Sequence, residues 1–402
     1  MTLHLCAGML ALALIARSAS HQPSPSKSYA SAETCKPCHV EVYQQWRESF
    51  HSQSATDPVF WQLFQQATQD KDAKPWALCL TCHAPVATVS KQISPVRPVS
   101  MQLELSRVAK EGVTCDFCHT VSGKENLGRG ISLGAYRLPH RGDTNVKYGT
   151  HADATTSAHA TEASDFLKSP QLCAICHQYT HPLPGLELQN TYAEWYYSPY
   201  RLQGRTCQDC HMPAYAGKSA DDGPQRPDVS AHVFQGGHTE MLKRAAQVTL
   251  WARTVGKGGG RRVSLSALVT NVGSGHLMPT GIPGIRELWL DVRVQSSGAE
   301  LFTTRANFGA TLLDKDGKPA MPWRAVRVGT DTRIAPQRSR REVFQVTVPD
   351  GKPVDASATL YYRLISETAA KAAGISPTPP IQVATDRIQI LPDGSVKKLP
   401  VQ

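Results

Sequence analysis

Outside one repeated pentapeptide the chain has a single cysteine, Cys6, out of 11. None remain to staple a disulfide framework. Long apolar runs are missing too. The stretch from Leu5 to Ala16 is too short to span a bilayer, and no other approaches its length. Charged residues make up only 19%, while 29 glycines and 28 prolines interrupt the chain, which excludes long polar helices and coiled coils. No motif points to a nucleotide, a flavin or a non-haem metal.

What the chain does have is C-x-x-C-H, five times: Cys35–His39, Cys79–His83, Cys115–His119, Cys173–His177 and Cys207–His211. This is the attachment signature of c-type haem. The two thiols add to the two vinyl groups of one porphyrin, and the adjacent histidine is held against the iron. A zinc half-site, a redox dithiol or a disulfide would explain a lone C-x-x-C. With 15 histidines in 402 residues, histidine would follow all five pairs by chance with a frequency on the order of 10⁻⁷. Four-cysteine zinc sites also consume pairs two at a time, and five is odd. The sequence therefore predicts five covalent haems held by Cys35, Cys38, Cys79, Cys82, Cys115, Cys118, Cys173, Cys176, Cys207 and Cys210. His39, His83, His119, His177 and His211 are the proximal ligands. Five ferric haems, each with one net negative charge, would lower the formal charge of +10 to about +5. Much of the arginine and lysine is expected to pair with propionates, so nucleic-acid binding is a poor reading of the charge.

Residues 1–20 read as a signal peptide, with small residues Ser18-Ala19-Ser20 after the apolar run and cleavage after Ser18 or Ser20. No lysine or arginine precedes that run, which departs from the usual pattern. Export agrees with the cofactor and predicts a periplasmic or extracellular protein, with no transmembrane segment in the mature chain. Residues 21–30 form a polar, proline-broken linker. A haem region follows over 31–240, with roughly 40 residues per haem. There the porphyrins supply most of the buried apolar surface, among short helices, long loops and few or no strands.

Within this region a helix is expected from Val40 to Ser52, one over 57–76 and an amphipathic one from Met101 to Glu111. Thr120 to Ser157 reads as loop, Y-A-E-W-Y-Y-S-P-Y as a short aromatic helix, and Lys218 to Asp228 as disordered. Over 244–395 cysteine disappears and alternating β-branched segments, about seven strands, predict an all-β antiparallel sandwich. The fold class is thus multidomain: a mostly α and irregular haem-dominated part followed by a sandwich.

Five irons need up to five sixth ligands, and histidine supply exceeds that demand. His51, His159, His232, His276 and His238 are the preferred distal ligands. His140, His151, His181 and His21 are weaker candidates, and Met278 competes with His276. His51 lies twelve residues after His39, about 18 Å along a helix, so it would close a neighbouring haem rather than its own.

Several strings resemble the multihaem cytochrome c-554/c-prime family: C-K-P-C-H-V-E-V-Y-Q-Q-W-R-E-S-F-H-S, E-G-V-T-C-D-F-C-H, S-P-Q-L-C-A-I-C-H-Q, Y-A-E-W-Y-Y-S-P-Y and C-Q-D-C-H-M-P. W-x-x-S-x-H, ending at His51, looks like that family's distal-ligand helix. H-A-x-x-A-x-x-F-L-K-S, headed by His159, resembles its segment supplying another distal histidine. The resemblance covers residues 33 to 240. It implies periplasmic electron carriers with parallel-stacked and perpendicular haem pairs. Larger relatives convert hydroxylamine or nitrite, but this chain lacks their lysine-ligated C-x-x-C-K motif and has fewer haems.

The functional expectation is a non-enzymatic electron relay through five mostly bis-histidine haems. Its partners are a redox-protein donor and acceptor, the donor class including a membrane-anchored, quinol-linked cytochrome. One alternative is an oxidoreductase of a small nitrogen or sulfur species at one open, five-coordinate haem, with no catalytic residue assigned. Another is a docking or filament subunit of a redox complex that engages its partner through the sandwich.

Overall fold

Each pentapeptide sits on a helical turn, where cysteines at i and i+3 and histidine at i+4 share one face. In the computed structural model these turns are Ala32–Cys35, continued by the His39 N–H to Cys35 carbonyl bond of 3.0 Å, and Leu78–His83, Cys115–Cys118, Gln171–His177 and Cys207–His211. Turns this short need caps. The Thr114 hydroxyl accepts from Phe117 N at 3.1 Å, and Thr206 and Asp209 form a reciprocal capping box.

The structure describes residues 29–70, 78–93, 105–124, 136–137, 146–180, 185–257 and 260–401. The leader, Cys6, His21, His140 and His181 lie outside them. No helix among the described residues is long and apolar enough to cross a membrane.

The helix expected from Val40 to Ser52 is two pieces, Val40–Arg47 and Phe50–Gln53. Ser49, buried and extended, breaks it and donates its hydroxyl to the Trp46 carbonyl at 2.7 Å. The next helix is Pro58–Gln69, started by Asp57, whose carboxylate accepts from Phe60 N at 2.8 Å. Among the described residues of the helix expected from Met101 to Glu111, only a 3-10 turn, Ala109–Glu111, is helical, and Leu105 to Val108 are not. Ser106 ends that segment's regularity by capping Ala109 N at 3.2 Å and donating its own N–H to Gln92 at 2.8 Å.

Strands in the haem region are short ribbons rather than absent. Val146–Gly149 pairs in parallel with Ala160–Ala163, and Ala214–Gly217 pairs with Arg226–Ser230. The second ribbon corrects the expectation of disorder over Lys218 to Asp228. Its turn is held by Asp221 N donating to the Cys38 carbonyl at 2.7 Å.

From Ala246 onward the described residues form two large antiparallel sheets and a two-stranded ribbon, Ala310–Leu313 with Arg327–Asp331. The smaller runs Ser339–Val348, Arg261–Asn271, Ala246–Lys257; the larger runs Ala299–Phe308, Glu287–Ser296, Val354–Arg363, Ile381–Ile390, Val396–Lys398. Alternation explains the arrangement: Val263, Leu265, Ala267 and Val269 of one sheet face Leu288, Leu290, Val292, Ala358, Leu360 and Ile388 of the other, all essentially inaccessible. Asp386 of the larger sheet accepts Leu250 N of the smaller at 2.6 Å. About seven strands were expected, and the two large sheets hold eight among the described residues. Ala299–Phe308, an edge strand with most side chains outward, carries too weak an alternation to be read beforehand.

Leu360 touches no solvent. Leu360→Ala is expected to lower stability by about 2–5 kcal/mol, read as a left-shifted far-UV circular dichroism transition in urea. A change under about 1 kcal/mol would mean that the sheets do not share one core.

Candidate haem sites

All five motifs open onto one continuous cavity of 1980 Å³, well beyond the roughly 300–1,000 Å³ of a single small-molecule pocket. His51, His151, His159, His232, His238 and His276 line it as well. None of the ten motif cysteines is in a disulfide. Three pairs of cysteines bring different motifs close together: Cys35 with Cys115, Cys82 with Cys176, and Cys173 with Cys207. Cys118 lies close enough to Cys173 and Cys176 to feel both.

The imidazoles form pairs. Ring centres are 6.3 Å apart for His51 and His177, 6.1 Å for His119 and His232, and 6.3 Å for His211 and His276. Two imidazoles that share one metal at about 2.0 Å, each nitrogen about 1.1 Å from its ring centre, stand about 6.2 Å apart. All three spacings therefore suit one iron between the rings. Burial pushes the pKa of His51 down to about 3 and those of His177, His232 and His276 down to about 4. These rings are neutral, the form that binds metal. Among the described residues neither His39 nor His83 faces a second imidazole at this distance; His83 instead stacks on Phe60, ring centres 3.9 Å apart.

A ligating histidine usually donates its other N–H to an acceptor, which fixes its tautomer and orientation. Here Nδ1 of His39 meets the Ser219 carbonyl at 2.6 Å, that of His83 the Ser54 carbonyl at 3.1 Å, and that of His119 the Tyr148 carbonyl at 2.6 Å. His211 uses the Gln235 carbonyl. His232 uses the Ser230 carbonyl at 2.9 Å, and His276 lies 2.9 Å from the Ser274 hydroxyl and 3.0 Å from the Leu277 carbonyl. In each case Nε2 is left for the metal. His51 Nδ1 is buried without a partner.

His276 reaches the cavity on the loop Asn271 to Gly281 between two sandwich strands. A buried ion pair clamps that loop to the haem region: Glu194, 3% exposed, meets Arg333 at 2.8 Å. The same carboxylate accepts from Thr280 Oγ1 at 2.6 Å and Leu277 N at 3.2 Å. Burial raises the Glu194 pKa although Arg333 and these donors work the other way. Tyr200 adds a bond from its hydroxyl to the Val272 carbonyl at 2.9 Å.

Of the other sequence candidates, His159 keeps Nδ1 on the Ala160 carbonyl at 3.1 Å. His151 neighbours Asp153, which pairs with Arg226 at 2.9 Å, at the base of the turn that carries Ser219. His238 is half-buried with its ring 4.1 Å from Phe50, and it shares Arg286 as an electrostatic neighbour with His83. Met278 is buried in the sandwich core. The sequence did not reveal the carbonyl acceptors, since any residue type supplies one. It did not reveal Phe234 either, although an aromatic between His232 and His238 was a visible signal.

Residues 34–120 match the family model described as cytochrome c554 and c-prime. A penta-heme cytochrome c552 from Thermochromatium tepidum superposes with a TM-score of 0.68 at 26% identity, over 90% of this chain and 99% of that one. A superoxide reductase (neelaredoxin) from Archaeoglobus fulgidus gives a TM-score of 0.17 at 18% identity, over 30% and 85% of the two chains. The sporulation control protein Spo0M from Bacillus subtilis gives 0.15 at 15%, over 37% and 49%. Neither score bears on the reading. No curated protein matches the chain. Donor set, cavity and comparisons agree on covalently bound haem c and a role in electron transfer.

Glu194→Ala leaves Arg333 buried opposite nothing but Asp331. It is expected to cost about 3–5 kcal/mol, measured by chemical denaturation. Glu194→Leu combined with Arg333→Leu should recover most of that loss. If the double variant is no more stable than Glu194→Ala, the pair is not what clamps the loop.

Proposed function

We propose, from the match of residues 34–120 to the cytochrome c554 and c-prime family model, that the chain is a periplasmic relay carrying five haems c and passing electrons between redox proteins. Each haem, numbered by its motif, supplies a reversible iron(III)/iron(II) couple. The observation that carries the reading is the set of three imidazole pairs at one-metal spacing. His119 and His232 would then hold the iron of haem 3, His51 and His177 that of haem 4, and His211 and His276 that of haem 5. Filled positions leave no room for a substrate and suit a carrier.

The cysteine contacts order the chain. Haem 1 adjoins haem 3 through Cys35 and Cys115, haem 2 adjoins haem 4 through Cys82 and Cys176, and haem 5 adjoins haem 4 through Cys173 and Cys207. Cys118 brings haem 3 up to haem 4. Haem 4 is thus the branch point. For haem 1 we assign His159, whose free Nε2 lies on a loop that Asp153 and Arg226 tie beside Ser219. The sandwich is more than a docking appendage in this reading, since its loop supplies the sixth ligand of haem 5.

One observation favours a second reading, chemistry on a small nitrogen or sulfur species at haem 2. No imidazole faces His83 among the described residues, while Arg286, His238 and Tyr362 gather on that side, Arg286 being fixed by its bond to the Leu364 carbonyl at 2.7 Å. A cation and two proton-bearing groups beside an open iron would suit a small anion.

Pyridine haemochrome analysis of the holoprotein should count five haems, and oxidised-state electron paramagnetic resonance should show low-spin iron at three or more. His232→Ala and His276→Ala should each convert one haem in five to high spin. Unchanged low-spin content would remove those ligands from the assignment. Cyanide, nitrite and carbon monoxide separate the two readings. Failure of all three to perturb the wild-type spectrum supports the pure relay, whereas saturable binding at one haem, weakened by Arg286→Ala, supports the second.

A further inference from the structure

The three imidazole pairs are not equivalent. The ring planes of His119 and His232 lie 21° apart and those of His211 and His276 16°, whereas His51 and His177 stand crosswise at 80°. The hydrogen bonding differs along the same line. His232 and His276 have acceptors for Nδ1, and His51 has none in spite of its burial.

His51 is held by other means. Its carbonyl receives Val113 N at 2.9 Å and the Ser54 hydroxyl at 3.0 Å. Gly112, at φ +71°, is required beneath it, because a side chain there would run into that carbonyl. Above the backbone, the Phe234 ring stands edge-on to the imidazole at 4.3 Å and 89°. Phe234 also meets His232, at 6.0 Å and 89°. One aromatic ring is therefore wedged between the distal imidazoles assigned to haems 3 and 4, and it fixes the plane of His51.

Both features act on the metal in the same direction. An N–H that donates to a carbonyl makes its imidazole a stronger base toward the metal, and the stronger base favours iron(III). An imidazole without that bond favours iron(III) less, and so does a buried site that excludes water from the added positive charge. Crosswise rings donate to two different iron orbitals instead of reinforcing one, so low-spin iron(III) gains less than it does between parallel rings.

We propose that His51, set crosswise by Phe234 and lacking an acceptor for Nδ1–H, makes the branch-point haem the electron-collecting centre, with the highest potential of the three bis-histidine haems. No bond is made or broken. With haem bound, the pair His119 and His232 would hold an iron that goes from iron(II) to iron(III) as the iron held by His51 and His177 goes from iron(III) to iron(II). Haem 5 would likewise feed haem 4, and the collected electron would pass on only to an acceptor of higher potential, either haem 2 or a docked redox partner. The proposal rests on the relay reading and its pairing of His51 with His177.

The test is a potentiometric reduction of the full holoprotein followed by electron paramagnetic resonance, alongside Phe234→Leu. The wild type should show a highly anisotropic low-spin signal beside rhombic ones, and the anisotropic signal should vanish first on reduction. In Phe234→Leu, at unchanged haem count, that signal should turn rhombic and its disappearance should move to more negative potential. The proposal is overturned if no highly anisotropic signal exists, if it is reduced after the rhombic signals, or if Phe234→Leu leaves its shape and potential unchanged. Should the variant fail to load haem, the order of reduction in the wild type decides alone. A haem count below five, or no low-spin bis-histidine signal, would overturn the relay reading itself. Five haems reduced in the wrong order would overturn only the role of His51.

Discussion

Two imidazoles that share a metal must face each other across about 6 Å, and the rest of the structure serves that separation. Three pairs meet it, and in each the partners come from distant parts of the chain. His51 precedes the motif it faces by two other motifs, and His276 comes from a sandwich loop. A pattern of this kind staples the polypeptide around its cofactors. It compensates for a region whose apolar side chains form only small clusters around one large cavity.

The orientation of those rings depends on backbone carbonyls. Ser219, Ser54, Tyr148 and Gln235 serve four proximal histidines, each acceptor lying well away from the motif it serves. The ribbon Ala214–Gly217 with Arg226–Ser230 illustrates the point. Its polar, glycine-bearing turn has the composition of a flexible linker, yet it is the element that presents Ser219 to His39. Composition alone could not reveal this, because the stabilising bonds are non-local.

The sandwich has a similar double character. Its core is an ordinary meeting of two alternating sheets, with its own apolar cluster. One of its loops brings His276 to the site, held by the ion pair of Glu194 and Arg333. A buried pair of this sort adds little net stability. It does specify position, since either charge left alone in that environment is costly, and position is what His276 needs.

The sequence by itself determined the cofactor chemistry, since C-x-x-C-H on a helical turn places both thiols and the histidine on one face whatever surrounds it. It also determined the change of architecture near Ala246, because a period of two is a local property of strands. The helix break at Ser49, the ribbons, and the edge strand Ala299–Phe308 were not legible, because their hydrogen bonds or exposure depend on neighbours remote in sequence. Only the tertiary structure decided which histidine faces which. His51, His232 and His276 were visible as candidates and His238 looked similar, but ligand choice is a matter of angle and distance across a cavity. The crosswise setting of His51 against His177 was the least legible feature, because it depends on Phe234, a residue whose neighbours in the sequence give no sign of the two imidazoles it separates.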